Sequence, residues 1–108
     1  FIFNDGNRAP NGVLSQTINT TAGASYQLMF DAGRNGLGAG TVSMRIEAID
    51  ATTSNVLASI TISKTNANTV TSEVLPFVAT GTETIIRITD MSAATINIDI
   101  TIDNLVVI

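Results

Sequence analysis

The sequence predicts an all-β domain, an antiparallel β-sandwich or jelly roll of about eight strands. Three observations support this prediction. Thr, Ile and Val make up more than a third of the chain, and β-branched side chains favour strands. Apolar and polar residues alternate with a period of two, and no long window prefers the helical period of 3.6. Clusters of Gly, Asn, Asp, Ser and Thr separate the alternating segments at short intervals, as turns would.

Alternation and the flanking turn residues delimit each strand in order. The predicted strands are 13–18, 25–31, 42–48, 56–62, 70–78, 84–89, 96–102 and 104–108. Pro76 has no backbone N–H, so its strand should lie at a sheet edge or contain a bulge. The residues expected to point inward, and so to form the core, are Tyr26, Leu28, Phe30, Val42, Met44, Ile46, Phe77, Ile86, Ile88, Ile98 and Ile100.

Length and composition indicate one domain that works outside the cytosol. The 108 residues suffice for a single sandwich domain, 1–108, with one core. The chain begins at Phe1 rather than Met, which favours a processed or excised part of a longer protein. Charged residues are only 13%, against about 25% in typical domains, and Lys64 is the one lysine. We therefore expect an extracellular, cell-surface or virion-surface location.

The same composition argues against several functions. The net charge is −4 with no basic run, which disfavours nucleic acid as a partner. No apolar stretch is long enough to span a membrane. The chain has no His and no Cys, so zinc and copper sites and the usual bases and nucleophiles are missing. Asp99 and Asp103 lie about 13 Å apart along a strand, too far for a glycosidase pair. The sequence thus predicts that the domain is not an enzyme.

Several motifs resemble those of galactose-binding-like jelly rolls. Residues 11–18 (NGVLSQTI) and 21–31 (TAGASYQLMFD) resemble the G-x-L-S-Q-T … T-x-G-x-x-Y-x-L-x-F run of that family. Residues 102–107 (IDNLVV) resemble its closing I-D-N-V-x-V strand, and 77–90 fits its F-x-A … T-x-I-x-x-x-D spacing. Such domains are often carbohydrate-binding modules, and the fold also serves cell-adhesion and virion-surface proteins. This chain differs from many members in having no Trp and one tyrosine, Tyr26.

The resemblance also implies a candidate structural calcium site. In that family an acidic residue near the closing strand often binds Ca²⁺, and by position this would be Asp103, helped by Asp31 or Asp5. Carboxylates and carbonyl oxygens are the ligands that Ca²⁺ prefers. The alternative is that Asp103 accepts hydrogen bonds from nearby backbone N–H groups and caps a bulge.

Two further groups are candidates for ligand binding. Arg45 and Glu47 share one face of the 42–48 strand, and Arg34 and Asn35 lie in the predicted Gly-rich loop 33–40. Sugars are recognised by such polar side chains, and loops at the end of a rigid sandwich often bind ligands. The alternative for Arg45 and Glu47 is a solvated ion pair worth about 0–1 kcal/mol.

The sequence therefore predicts a non-catalytic binding or adhesion module with a glycan as the first ligand class to test. The alternative is a structural module, such as a virion decoration, fibre or surface-layer domain, that acts by protein–protein packing. In either case the partner, glycan or protein, would bind at an exposed surface, and the sequence leaves the oligomeric state open.

Overall fold

The computed structural model describes residues 1–3, 12–65, 69–92 and 98–108, which contain seven strands and no helix. The all-β prediction is confirmed, and no helix in the described residues could cross a membrane. The strands are β1 (Val13–Asn19), β2 (Ser25–Asn35), β3 (Val42–Asp50), β4 (Val56–Lys64), β5 (Val70–Val78), β6 (Glu83–Asp90) and β7 (Asp99–Val107).

The strands form two antiparallel sheets that pack face to face. The four-stranded sheet has the order β1-β6-β3-β4, and the three-stranded sheet has the order β5-β2-β7. The first residues lie along the outer edge of β7, where Phe1 and Ile102 exchange backbone hydrogen bonds in both directions. The Phe3 N–H also donates to the Ile100 carbonyl over 3.0 Å. This two-layer arrangement confirms the sandwich prediction.

The inward-facing residues of both sheets form one core. Ten of the eleven residues predicted to be inside are buried, and the core adds Phe3, Ala32, Ala48, Ile62, Leu75 and Ile102. Tyr26 is half-buried: its ring stacks on Phe77 with centroids 5.4 Å apart, and its hydroxyl oxygen accepts a hydrogen bond from the Thr21 N–H. An aromatic residue with a polar tip is suited to this position at the rim of a core.

Two strand boundaries differ from the prediction. The predicted strands 96–102 and 104–108 are one strand where the structure describes them, from Asp99, and residues 96 and 97 lie outside the described residues. Asn104 has a φ of 53°, and the pairing of β7 with β2 shifts register between Met29 and Asp31. The sequence suggested that one strand ends and another begins at this point. The structure has a bulge instead: one extra residue in β7 bends the strand, and the pairing with β2 continues on both sides.

The Gly-rich loop is also shorter than predicted, because β2 continues to Asn35. Gly33 is buried in the sheet, and a Cβ atom there would lie 2.8 Å from the Thr101 Oγ1 atom. Glycine is therefore needed here for a close approach of neighbouring strands and not for a turn. Pro76 lies on β5, an edge strand, as the sequence predicted.

Candidate functional site

The outer face of the four-stranded sheet carries a cluster of three charged residues. Side chains alternate along β3, so Arg45 and Glu47 both point away from the core. In the pairing of β3 with β6, Arg87 lies directly opposite Glu47. The sequence analysis identified Arg45 and Glu47 but missed Arg87, whose position beside them depends on the strand order.

Both arginines contact the same oxygen atom of the central carboxylate. The Nε atoms of Arg45 and Arg87 each lie 3.3 Å from Glu47 Oε1, and the Arg87 contact is also a hydrogen bond. The Glu47 side chain is 8% exposed, whereas those of Arg45 and Arg87 are 39% and 43% exposed. The carboxylate is thus held under two half-exposed guanidinium groups. We call Arg45, Glu47 and Arg87 the arginine cluster.

Hydroxyl side chains surround the arginine cluster on the sheet. Apart from the Glu47–Arg87 pair itself, every residue paired with a member of the cluster is a serine or a threonine. Ser15 is opposite Arg87, Ser59 is opposite Glu47, and Thr61 and Thr89 are opposite Arg45. The next row of the sheet is apolar, where Ile85 pairs with Ile49. The face therefore combines charged groups, hydroxyls and an apolar border on three adjoining rows.

Arg34 lies elsewhere, in the interior of the sandwich. It is 4% exposed, and its Nη1 atom donates to the Thr65 carbonyl while Nη2 donates to the Gly38 carbonyl. Its backbone N–H donates to the Thr69 carbonyl. The guanidinium group thus joins two chain segments at one end of the sandwich. Asn35 is exposed at the end of β2, so the four predicted ligand residues do not form one site.

The predicted calcium ligands Asp31 and Asp103 face each other across β2 and β7. Asp31 accepts hydrogen bonds from Asn104 Nδ2 at 2.7 Å and from Ser72 Oγ at 2.9 Å, and these bonds, Asn104 first, lower the pKa of its carboxyl group. Asp103 accepts from the Asn104 N–H at 2.8 Å, which is the capping contact that the sequence left as the alternative. Asp5 lies outside the described residues.

These acidic residues fit Ca²⁺ poorly in the described part of the chain. No group of three or more acidic side chains occurs there. Ca²⁺ takes six to eight oxygen ligands. The Asp31–Asp103 pair supplies only two carboxylates, and both already accept hydrogen bonds from Asn104. Its side-chain amide donates to Asp31, and its backbone N–H donates to Asp103. The described residues do not complete a calcium site, and the calcium prediction is untested.

The outer face of the three-stranded sheet has a different chemistry. Met29, at the centre of β2, is flanked by Val74 of β5 on one side and Val106 of β7 on the other. The exposed apolar residues at this end of the face are Met29, Val74, Pro76, Val78, Val106 and Ile108. We call this group the apolar face. One shallow depression on this face is lined by Met29, Val74 and Val106, and a second is lined by Pro76, Val78 and Ile108.

Comparison with known proteins supports the fold but no family assignment from sequence. No protein-family model matches the chain, and no curated protein matches its sequence. Among solved structures, the C-terminal domain of EclA, a sugar-binding protein, is similar with a TM-score of 0.73 and 19% identity. That match covers 95% of this chain and 70% of the other. The fold is that of carbohydrate-binding modules.

Two further solved structures are similar to this chain. TmCBM61, solved in complex with β-1,4-galactotriose, has a TM-score of 0.65 and 18% identity over 89% of this chain and 61% of the other. The enzymatically active domain of tailspike protein 4 from bacteriophage CBA120 has a TM-score of 0.56 and 23% identity. The tailspike match covers 88% of this chain but only 13% of the other. At these identities the likeness concerns the fold alone.

Proposed function

We propose that this chain is a non-catalytic glycan-binding module and that the outer face of the four-stranded sheet is its sugar site. The observation that carries this proposal is the arginine cluster, surrounded by serine and threonine hydroxyls on a regular sheet. Sugar-binding proteins among its structural neighbours support the ligand class. A location outside the cell, suggested by the low charge content, belongs to the same proposal.

The physical basis is preorganisation of polar groups. The ion pairs between Glu47 and the two arginines restrict all three side chains. Little side-chain entropy is therefore lost when the arginines contact a ligand. Hydrogen bonds that involve a charged partner are about twice as strong as neutral ones, so sugar hydroxyls gain from arginine donors. The half-buried Ile85 beside the cluster offers an apolar contact for the C–H face of a sugar ring.

The proposed module binds its ligand without transforming it. Glu47 is the only carboxylate of the arginine cluster; it accepts a hydrogen bond from Arg87 and forms an ion pair with Arg45. A glycosidase would need a second carboxyl group on the other side of the scissile bond, within about 10 Å. The positions around the cluster in neighbouring strands carry hydroxyl groups instead.

A second candidate function is a structural module that packs against protein. The observation that favours it is the apolar face of the three-stranded sheet, where Val74, Met29 and Val106 are neighbours across all three strands. Contiguous exposed apolar patches often mark protein–protein contacts. In this case the partner would be part of a fibre, a surface layer or a virion.

Affinity electrophoresis of the purified chain in gels that contain soluble polysaccharides tests the first proposal. We expect retention by at least one polysaccharide, with the Arg87→Gln variant retained at least about tenfold less because it removes a charged hydrogen-bond donor from the proposed site. The Ser72→Ala variant, on the opposite sheet, is the control. If no polysaccharide or glycan on an array is retained, the sugar proposal is wrong and the protein-packing candidate stands.

A further inference from the structure

The arginine cluster carries a surplus of positive charge. Two guanidinium groups share the single carboxylate of Glu47, and both Nε atoms approach the same oxygen atom. Arginine is always protonated, so one positive charge is left without a partner in the cluster. This surplus occurs on a chain whose net charge is −4.

The terminal nitrogens of both arginines are available to a ligand. Arg45 and Arg87 approach their charged partner, Glu47, through their Nε atoms. In the described part of the chain, the terminal nitrogens of these two arginines have no hydrogen-bond partner. Both side chains are roughly 40% exposed. A guanidinium group with free terminal nitrogens can bind a carboxylate or sulfate through two parallel hydrogen bonds.

The surroundings of the cluster do not cancel its charge. The residues paired with it on the sheet are neutral: Ser15, Ser59, Thr61 and Thr89. The acidic pair Asp31 and Asp103 lies on the outer face of the other sheet. An anionic ligand would therefore meet favourable charge on the four-stranded sheet and repulsion on the three-stranded sheet.

We infer that the sugar site selects acidic glycans, which carry a carboxylate or sulfate group that the Arg45 and Arg87 guanidinium groups bind. This inference rests on the proposed sugar site and specifies its ligand class. Hydroxyls around the cluster would contact the rest of the sugar, while the two arginines would distinguish an acidic residue from its neutral counterpart.

Isothermal titration calorimetry with matched polymers tests the inference. The probes are galacturonan oligosaccharides and the same oligosaccharides after reduction of their carboxyl groups, which leaves linkage and length unchanged. A second pair, a sulfated galactan and its desulfated form, distinguishes sulfate from carboxylate. We expect at least one acidic probe to bind about tenfold or more tightly than its neutral form, and the difference to shrink at high salt.

Three variants connect the result to the cluster. Arg45→Gln and Arg87→Gln should each lower the affinity for the acidic probe about tenfold, since each removes a charged donor. Lys64→Gln removes the same charge from β4 outside the cluster, where the Lys64 ammonium group contacts Thr71, and should change little. Arg87→Lys keeps the charge but loses the forked donor, so its affinity should be intermediate and its fold is the least disturbed.

The possible outcomes separate the inference from the proposed function. Equal or tighter binding of the neutral probes overturns the acidic preference and leaves the sugar site intact. An acidic preference that survives both arginine-to-glutamine changes also overturns the inference, because it places the charged contact elsewhere. If no glycan binds, acidic or neutral, the proposed function fails and the inference fails with it.

Discussion

The two sheets share one core, yet their outer faces differ in chemistry. The outer face of the four-stranded sheet is centred on Glu47 with two arginines and serine and threonine hydroxyls around them. The outer face of the three-stranded sheet is centred on Met29, with Val74 and Val106 beside it. Period-two alternation determines only which residues point outward. Pairing determines which of them become neighbours.

The proposed sugar site consists of residues from strands that have ordinary alternating sequences. β6 carries Arg87 between Ile86 and Ile88, and β3 carries Glu47 between Ile46 and Ala48. Neither strand contains a recognisable binding motif by itself. The arginine cluster exists because β6 pairs with β3 in a register that places Arg87 opposite Glu47. A shift of one residue would turn the charged side chains toward the core, so the buried isoleucines also fix the site.

We expect the largest effect on the free energy of unfolding from a substitution on the inner face of β2, in contrast to one on its outer face. Phe30 is 2% exposed and its neighbour Met29 is 39% exposed. We expect Phe30→Ala to lower the free energy of unfolding by about 3–5 kcal/mol, because it leaves a cavity in the core. Met29→Ala, the matched control, should change it by less than about 1 kcal/mol. Urea denaturation measures both, and similar losses in the two variants would mean that the assigned faces are wrong.

A smaller effect should test the anchor of the arginine cluster. Glu47→Ala should lower the free energy of unfolding by about 1–2 kcal/mol, because it leaves two like charges together without their common partner. This is less than the loss at a fully buried pair, since solvent screens the half-exposed arginines. Ser59→Ala, at the paired position of β4, is the control. A Glu47→Ala variant as stable as the parent chain would show that the cluster contributes nothing to the fold.

Acid should weaken the fold at the end of β3. Asp50 is buried and accepts hydrogen bonds from the Thr80 hydroxyl and from the N–H groups of Thr52 and Thr53. These bonds, Thr80 first, lower the pKa of its carboxyl group from its usual value. Asp31 shows the same direction of shift on the other sheet.

A carboxyl group whose pKa is lower in the folded state stabilises the fold above its unfolded pKa, and this stabilisation is lost as pH falls through the folded value. We therefore expect melting temperatures to fall below about pH 4. Asp50→Asn should have a flatter melting profile across this range than the parent chain. A parent profile that stays level from pH 5 to pH 2 would contradict the role given to these hydrogen bonds.

A substitution on the apolar face should separate the two candidate functions with little effect on stability. Val74→Lys places a charge on an exposed position of β5, so we expect a stability change within about 0.5 kcal/mol. Glycan retention should be unchanged, because the arginine cluster lies on the other sheet. Loss of retention would move the sugar site to the apolar face. Sedimentation velocity of the parent chain and of the Val74→Lys variant shows whether this face also supports self-association.

The smallest effect is expected from metal removal. Asp31 and Asp103 already have hydrogen-bond partners, so we expect a chelator to leave the melting temperature unchanged. A ligand of the native state would raise that temperature by mass action. A drop in excess chelator that Asp103→Asn abolishes would instead support the calcium site that the sequence resemblance implied.

The sequence by itself determined the fold class and most of the core. Its period-two alternation is a local property, because successive side chains of a strand point to opposite faces whatever the strand pairs with. This is why Phe30, Met44 and Ile88 were correctly placed inside. Pro76 gave a similarly local signal, because its missing N–H indicated a sheet edge or a bulge, and its strand β5 lies at an edge.

Only the tertiary structure decided which residues meet. Arg87 joins Arg45 and Glu47, and Arg34 turns inward to bind two carbonyl groups, because residues distant in sequence are brought together by pairing and packing. Asn104 continues a strand through a bulge, although its residue type is equally suited to a turn. Such outcomes depend on the hydrogen bonds and burial of the whole sandwich, which no single segment of the chain encodes.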